Sequence, residues 1–282
     1  MVAALKVLGV AAALGGAIGL WLVTEAGLSA YARPRLTAAP GTDRVVLADA
    51  PAWMSPLVAE QLRQAVADHV SSDLLDPQSL RRAVAAVGQS PWVRRVRSIE
   101  RTGSQIMVLA DYRQPVALVE DRGEYYLVDG QAVRLLGIYF EHQLPAVNLP
   151  VLRGVKQGPA DIGEVWPGDD VQAGLELLAF LASESYASQI RGVAVRDAQG
   201  QIRPVLLTGR PGGRVYWGRP IGEGPPIEVS DEIKRQRLAA VDAQRGSIDA
   251  GGKQVYVYGP AVFVAVEPEA EAATSQAASY RP

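Results

Sequence analysis

The stretch Trp92–Arg113, WVRRVRSIERTGSQIMVLADYR, decides the fold of the first part of this chain. In its second half, apolar side chains at every second position share one face of an extended strand: Ile106, Val108, Ala110 and Tyr112. The polar run Thr102-Gly103-Ser104 interrupts this pattern and supplies a turn. The stretch therefore predicts a β-hairpin, with strands over 92–101 and 106–113.

Two amphipathic helices are predicted before this hairpin. Ser55-Pro56 and Asp76-Pro77 each place an N-cap residue before a proline at the first helical position. Val45–Leu47 is a short strand candidate that precedes both helices. The order strand, helix, helix, strand, strand predicts a compact α+β domain over 44–114, with two helices on one face of a small sheet.

The pattern changes after Val116, where short strand candidates recur between turns rich in Gly, Asp and Pro. The candidates are Val116–Glu120, Tyr125–Val128, Ala132–Leu136, Val193–Arg196, Val205–Leu207, Arg214–Trp217, Gln254–Tyr258 and Ala261–Val266. Two helices interrupt them, from Val171 to about Ser183 and from Asp231 to about Arg245. We therefore expect a mostly antiparallel β domain with two helices over 115–266.

The amino-terminal segment has the composition of a membrane anchor. Val7–Val23 is a run of 17 residues without a charge, and a helix needs roughly 17–25 residues to span the hydrocarbon core. The fold class expected is thus α+β with an N-terminal transmembrane helix over 1–24, in contact with the membrane through residues 2–24. Ala30-Tyr31-Ala32 fits a signal-peptidase site, so a cleaved signal peptide is the alternative.

Two further segments are expected to lie outside the folded domains. Residues 25–43 contain a stretch rich in Pro, Gly and Ala and are interpreted as a linker. Residues 267–282 are acidic, polar and small, and are interpreted as a disordered tail.

Composition excludes several classes of chemistry. The 282 residues include no Cys and two His, so disulfides, thiol catalysis and cysteine-ligated metals are ruled out. The net charge of −2 does not favour nucleic acid as a partner. The acidic pairs Asp169-Asp170 and Asp231-Glu232 fall where predicted helices begin, which favours helix capping over acid–base catalysis. We expect no catalytic residue, no cofactor and no metal site.

Four segments, in this order along the chain, together resemble one family. They are Ser90-Pro91-Trp92-Val93 with the arginines after it, Asp111–Ala117 (DYRQPVA), Tyr126–Gly130 (YLVDG) and Leu149–Gly154 (LPVLRG). The set resembles the FtsQ/DivIB family of bitopic bacterial cell-division proteins. The resemblance weakens after Gly154: Pro220–Val229 is an extra stretch, and Tyr256-Val257-Tyr258 stands where the family has Asp-Leu-Arg-Tyr.

The resemblance implies a non-enzymatic, single-pass protein of the cell inner membrane, with a cytoplasmic N-terminus. A POTRA-like domain (44–114) and an FtsQ-type β domain (115–266) would lie on the periplasmic side. The family implies partners too, namely the FtsB/FtsL-like coiled-coil division proteins and other divisome components that coordinate septal peptidoglycan synthesis. The alternatives are another POTRA-bearing envelope assembly or secretion protein, and an envelope enzyme.

The last two strand candidates are the predicted partner-binding site. Chain-terminal strands often lie at sheet edges, where unpaired backbone groups accept an incoming strand. Both faces of Ala261–Val266 are apolar, and the family resemblance implies strand addition here. The candidate residues are Tyr258, Ala261, Val262, Phe263 and Val264. The alternative is a central strand that is buried on both faces.

Overall fold

The computed structural model describes residues 41–71, 76–223 and 228–265. The expected anchor over 1–24, the tail over 267–282 and most of the linker over 25–43 lie outside these residues. The chain divides into two compact units between Tyr112 and Arg113.

The first unit contains three strands and two helices. They are β1 (Val45–Leu47), α1 (Pro56–Ala67), α2 (Pro77–Gly88), β2 (Val93–Thr102) and β3 (Gln105–Tyr112). The sheet order is β1-β3-β2, with β1 parallel and β2 antiparallel to β3. This order of elements agrees with the one predicted from the sequence.

Local chemistry accounts for the two helices. The Ser55 hydroxyl accepts a hydrogen bond from the amide of Val58 at 3.3 Å, and the Asp76 carboxylate accepts from the amides of Gln78 and Ser79. Each cap satisfies amides that the first helical turn leaves without a partner. The arginines of β2 are mostly exposed, and Arg95 and Arg97 each lie 3.3 Å from the Asp111 carboxylate.

The second unit is built on one large sheet. Its elements are β4 (Pro115–Asp121), β5 (Glu124–Asp129), β6 (Arg134–Tyr139), α3 (Leu144–Val147), β7 (Val151–Arg153), α4 (Asp170–Leu181), β8 (Ile190–Arg196), β9 (Ile202–Thr208), β10 (Arg214–Tyr216), α5 (Asp231–Arg245), β11 (Gln254–Tyr256) and β12 (Phe263–Ala265). The nine strands follow the order β12-β11-β10-β9-β8-β7-β4-β5-β6.

This sheet is mixed but mostly antiparallel, as expected: among the described residues, five of its eight strand pairs are antiparallel and three are parallel. The parallel pairs are β4 with β7, β7 with β8, and β10 with β11. Parallel neighbours need a crossover, and α4 and α5 supply it for the last two pairs. Strand β7 was not predicted from the sequence; it lies within the segment Leu149–Gly154 that carries part of the family resemblance.

The predicted fold class is corrected in one respect, the N-terminal transmembrane helix. Among the residues that the structure describes are five α-helices, and none of them is long and apolar enough to cross a membrane. Residues 1–24, to which that expectation applied, are not among them. The fold class that the structure supports is α+β, with a small three-stranded sheet and a large mixed sheet.

One row of apolar side chains crosses the large sheet from edge to edge. The row follows the strand registers and consists of Ile138, Tyr126, Val119, Leu152, Val193, Leu206, Val215, Val255 and Val264. Its seven inner members belong to the buried core, together with residues of α4 and α5. The helices therefore cover this face of the sheet, and only the two ends of the row are exposed.

Candidate partner-binding site

Strand β12 occupies one edge of the large sheet. It pairs antiparallel with β11, and within the described ranges no second strand lies beside it. Phe263 is 62% exposed and Val264 is 38% exposed, although both are large apolar residues. An edge strand with exposed apolar side chains has the hydrogen-bonding groups and the surface that strand addition requires.

The predicted site residues lie along one hairpin but not in one environment. Tyr258 is half-buried and follows β11, Ala261 is exposed, and Val262 is half-buried. Phe263 and Val264 belong to β12. Of the predicted ranges 254–258 and 261–266, of which residue 266 is not described, the strands cover 254–256 and 263–265. The carbonyls of residues 257, 259 and 260, between the two strands, accept hydrogen bonds from the side chain of Arg237.

An aromatic ladder supports the edge strand. Tyr216 of β10 lies opposite Tyr256 of β11, which lies opposite Phe263 of β12. The rings of Tyr216 and Tyr256 stack with centroids 4.3 Å apart, and the centroid of Phe263 lies 5.8 Å from that of Tyr256. Cross-strand aromatic pairs of this kind stabilise strand pairing. The exposed Phe263 is thus held in place by its neighbours.

Tyr216 and Tyr256 were missed as site residues by the sequence analysis. Each tyrosine follows a valine in a predicted strand. They were missed because the parallel pairing that stacks them joins residues 40 positions apart in the sequence. Burial, followed by the nearby Tyr216 hydroxyl, raises the pKa of Tyr256 above its ordinary value of 10.0.

A basic cleft of about 630 Å³ lies beside the ladder. Three tyrosines line it, Tyr216, Tyr256 and Tyr258. Its charged lining residues are Arg153, Arg196, Asp197, Arg203 and Arg214. Arg196 is bound to the buried Asp170 at 3.0 Å, whereas Arg214 is exposed on β10. Arg153 lies 3.4 Å from Glu120 and Arg203 lies 3.9 Å from Asp197, so three of the four arginines have a carboxylate partner. The exposed charge of Arg214 is left to attract acidic side chains.

The acidic residues near the helix starts have structural partners. Asp170 accepts hydrogen bonds from Arg196 and from the amides of Lys156 and Val171. Asp231 lies 3.3 Å from the ammonium of the buried Lys234. In the part of the chain that the structure describes, no group of three or more His, Asp or Glu side chains is placed to hold a metal ion.

The candidate site is therefore a sheet edge that is supported by an aromatic ladder and lies near a cleft lined by arginines. In the comparisons with known proteins, no family model and no curated protein matches this chain.

Proposed function

We propose that this protein is a non-enzymatic cell-division scaffold that binds small FtsB/FtsL-like coiled-coil proteins by strand addition at β12. It acts on the periplasmic side of the cell inner membrane, where it coordinates septal peptidoglycan synthesis with other divisome components. The observation that carries this proposal is the exposed edge strand: β12 has one neighbouring strand in the described residues, and its Phe263 is 62% exposed.

The opposite edge of the sheet is less suited to strand addition. Backbone hydrogen bonds join Arg134 of β6 to Gly163 and Glu164, so a loop already pairs with the beginning of that strand. The pairing of β5 with β6 also contains a register shift, and Gly137 has a φ of 128°. Bulges and covering loops are devices that block edge pairing. These features favour β12 as the binding edge.

The basic cleft adds a requirement on the partner. A strand that pairs with β12 extends the sheet whose face carries the exposed Arg214, two strands away on β10. A partner with acidic residues beside its pairing strand fits this surface best. Such a contact contributes to orientation and association rate more than to affinity.

Val264→Pro tests the proposal, with Ile138→Pro as the matched control at the other end of the same row. The proline removes one backbone donor from β12, and we expect the affinity for the purified FtsB-like protein of the same organism to fall about 100-fold. Binding is measured by isothermal titration calorimetry, and folding by circular dichroism. A folded Val264→Pro protein that binds this partner as tightly as the wild type would contradict strand addition at β12.

Phe263→Glu separates side-chain contacts from backbone pairing. It places a charge on the most exposed apolar side chain of the edge without removing a backbone donor. If β12 is the binding strand, this variant also loses affinity while its circular dichroism spectrum is unchanged. If Phe263→Glu and Val264→Pro both bind normally, the partner uses a different surface.

A further inference from the structure

The turn between β11 and β12 is held by one side chain from a different element. The guanidinium of Arg237, on α5, donates through Nη1 to the carbonyls of Val257 at 2.8 Å and Gly259 at 2.6 Å. Its Nη2 donates to the carbonyl of Pro260 at 2.9 Å. Three carbonyls of a four-residue segment thus accept from one arginine.

This turn has few other ways to be fixed. Pro260 has no backbone N–H, so it cannot donate a hydrogen bond within the turn. Two backbone hydrogen bonds also reach this segment. The amide of Val257 donates to the carbonyl of Tyr216, and the amide of Val229 donates to the carbonyl of Tyr258, both at 3.2 Å. The three bonds from Arg237 are charge-assisted, and such bonds are about twice as strong as neutral ones.

Arg237 is presented by a well-anchored helix. One residue on, Leu238 is fully buried in the core of the unit. Three residues earlier, the ammonium of Lys234 is completely buried between Glu228 at 3.1 Å and Asp231 at 3.3 Å, and lies 5.3 Å from the centre of the Trp217 ring. Because α5 is fixed at this point, its arginine can hold the turn in one position.

Strand β12 begins two residues beyond this turn, after Ala261 and Val262, and in the described part of the chain it has three residues and one neighbouring strand. A strand this short depends on its connection to remain paired, because the few ladder hydrogen bonds must offset the loss of backbone entropy. A partner that binds a strand already in position does not have to order it, and the affinity is correspondingly higher.

We infer that Arg237 is a positioning residue for the partner-binding edge: it holds the 257–260 turn so that β12 is already paired with β11 before a partner arrives. The expected effect on partner affinity rests on the proposed function. The ordering of β12 by Arg237 does not depend on that function. Arg237 acts through the strand and makes no contact with the partner in this arrangement.

Hydrogen exchange of the full-length chain, without any partner, tests the structural content. In Arg237→Gln we expect the amides of 254–256 and 263–265 to exchange at least about tenfold faster, which corresponds to about 1.4 kcal/mol. Amides of the central strands β8 and β9 are expected to exchange as in the wild type. Arg245→Gln, an exposed arginine on the same helix, is the matched control. Exchange that rises equally in β12 and in the central strands would overturn the inference, because Arg237 would then stabilise the whole unit.

Arg237→Lys keeps the charge but has one donor group in place of the planar fork, so we expect an intermediate rise in exchange. If neither Arg237 variant folds, the residue is required for folding and the positioning role is overturned. Binding of the purified FtsB-like protein is then measured. If the wild type does not bind, the proposed function fails while the exchange result stands. If it binds and Arg237→Gln binds equally well, the effect of positioning on affinity is wrong.

Discussion

Ile138 and Val264 lie at opposite ends of one continuous row of apolar side chains that crosses all nine strands of the large sheet. Ile138 is 48% exposed and Val264 is 38% exposed, while every residue between them is buried. Both residues are therefore partly exposed ends of the same row, and they lie on opposite edges of the sheet. This makes them a matched pair for mutation.

Val264→Glu and Ile138→Glu are predicted to differ in binding but not in stability. Each places a charge at a partly exposed end of the row, so we expect similar changes in the free energy of unfolding, within about 1 kcal/mol of each other. Val264→Glu should abolish measurable binding of the FtsB-like partner, because a charge is desolvated when a strand covers the edge. Equal binding losses in the two variants would point to a general folding defect.

Arg214→Glu is predicted to slow association with the same partner. Arg214 lines the basic cleft and is exposed, so its charge acts at long range on an approaching acidic segment. We expect the association rate to fall several-fold at low salt, and the difference to shrink at high ionic strength. Stopped-flow or surface plasmon resonance measurements at two salt concentrations check this. A salt-independent difference would indicate a direct packing role.

Arg113 and Asp129 are predicted to stabilise the beginning of the large sheet together. Their side chains lie 2.7 Å apart and are mostly buried, and Asp129 also accepts from the amides of Gln131 and Val133. Asp129→Ala should therefore destabilise the chain more than Arg113→Ala. A double-mutant cycle by urea denaturation should give a coupling of about 1–3 kcal/mol. Additive effects would show that the ion pair itself contributes little.

Trp92→Ala is predicted to destabilise the first unit by about 3–5 kcal/mol. The ring lies immediately before β2 and is only 7% exposed. Arg94→Ala, at an exposed position two residues on, should change stability by less than about 0.5 kcal/mol. Thermal or urea unfolding of both variants checks the contrast. An unchanged midpoint for Trp92→Ala would show that the ring contributes little to the core.

Asp249 is predicted to make the second unit sensitive to acid. Burial acts to raise the pKa of Asp249, but hydrogen bonds from the hydroxyls of Thr208 and Ser247 outweigh it and hold this pKa below its ordinary value of 3.8. A lowered carboxyl pKa contributes stability above the unfolded value, and that stability is lost as the pH falls through the folded one.

Asp249→Asn should therefore be less stable than the wild type at pH 7, by about 1–3 kcal/mol. The difference should narrow as the pH falls below 3.8 toward the lower pKa of the folded carboxylate, because the unfolded wild type then binds a proton that the folded protein does not yet bind. Urea unfolding of both proteins at pH 7 and at pH 3 measures it. If the difference in unfolding free energy between the two proteins is the same at both pH values, the charge of Asp249 does not contribute to stability.

Local sequence determined the identity and order of most elements in this protein. Ser55 and Asp76 each begin a helix as predicted, because a cap acts on amides two or three residues away, and Ser230 caps α5 in the same way. The β2–β3 hairpin is likewise readable, because alternation and a short turn specify both the strands and their pairing. The candidate edge residues Phe263 and Val264 could also be named from sequence, since their two apolar faces and late position are local features.

Tertiary structure alone decided which strands are neighbours. The three residues of β7 lie between β4 and β8 near the middle of the sheet, and the parallel pairing of β10 with β11 stacks Tyr216 on Tyr256. Arg237 reaches a turn twenty residues ahead in the chain. These contacts join segments far apart in sequence, and they form because the sheet has to bury one whole face beneath α4 and α5. No pattern within a single segment encodes that requirement, so the support of the candidate site appears only in the folded chain.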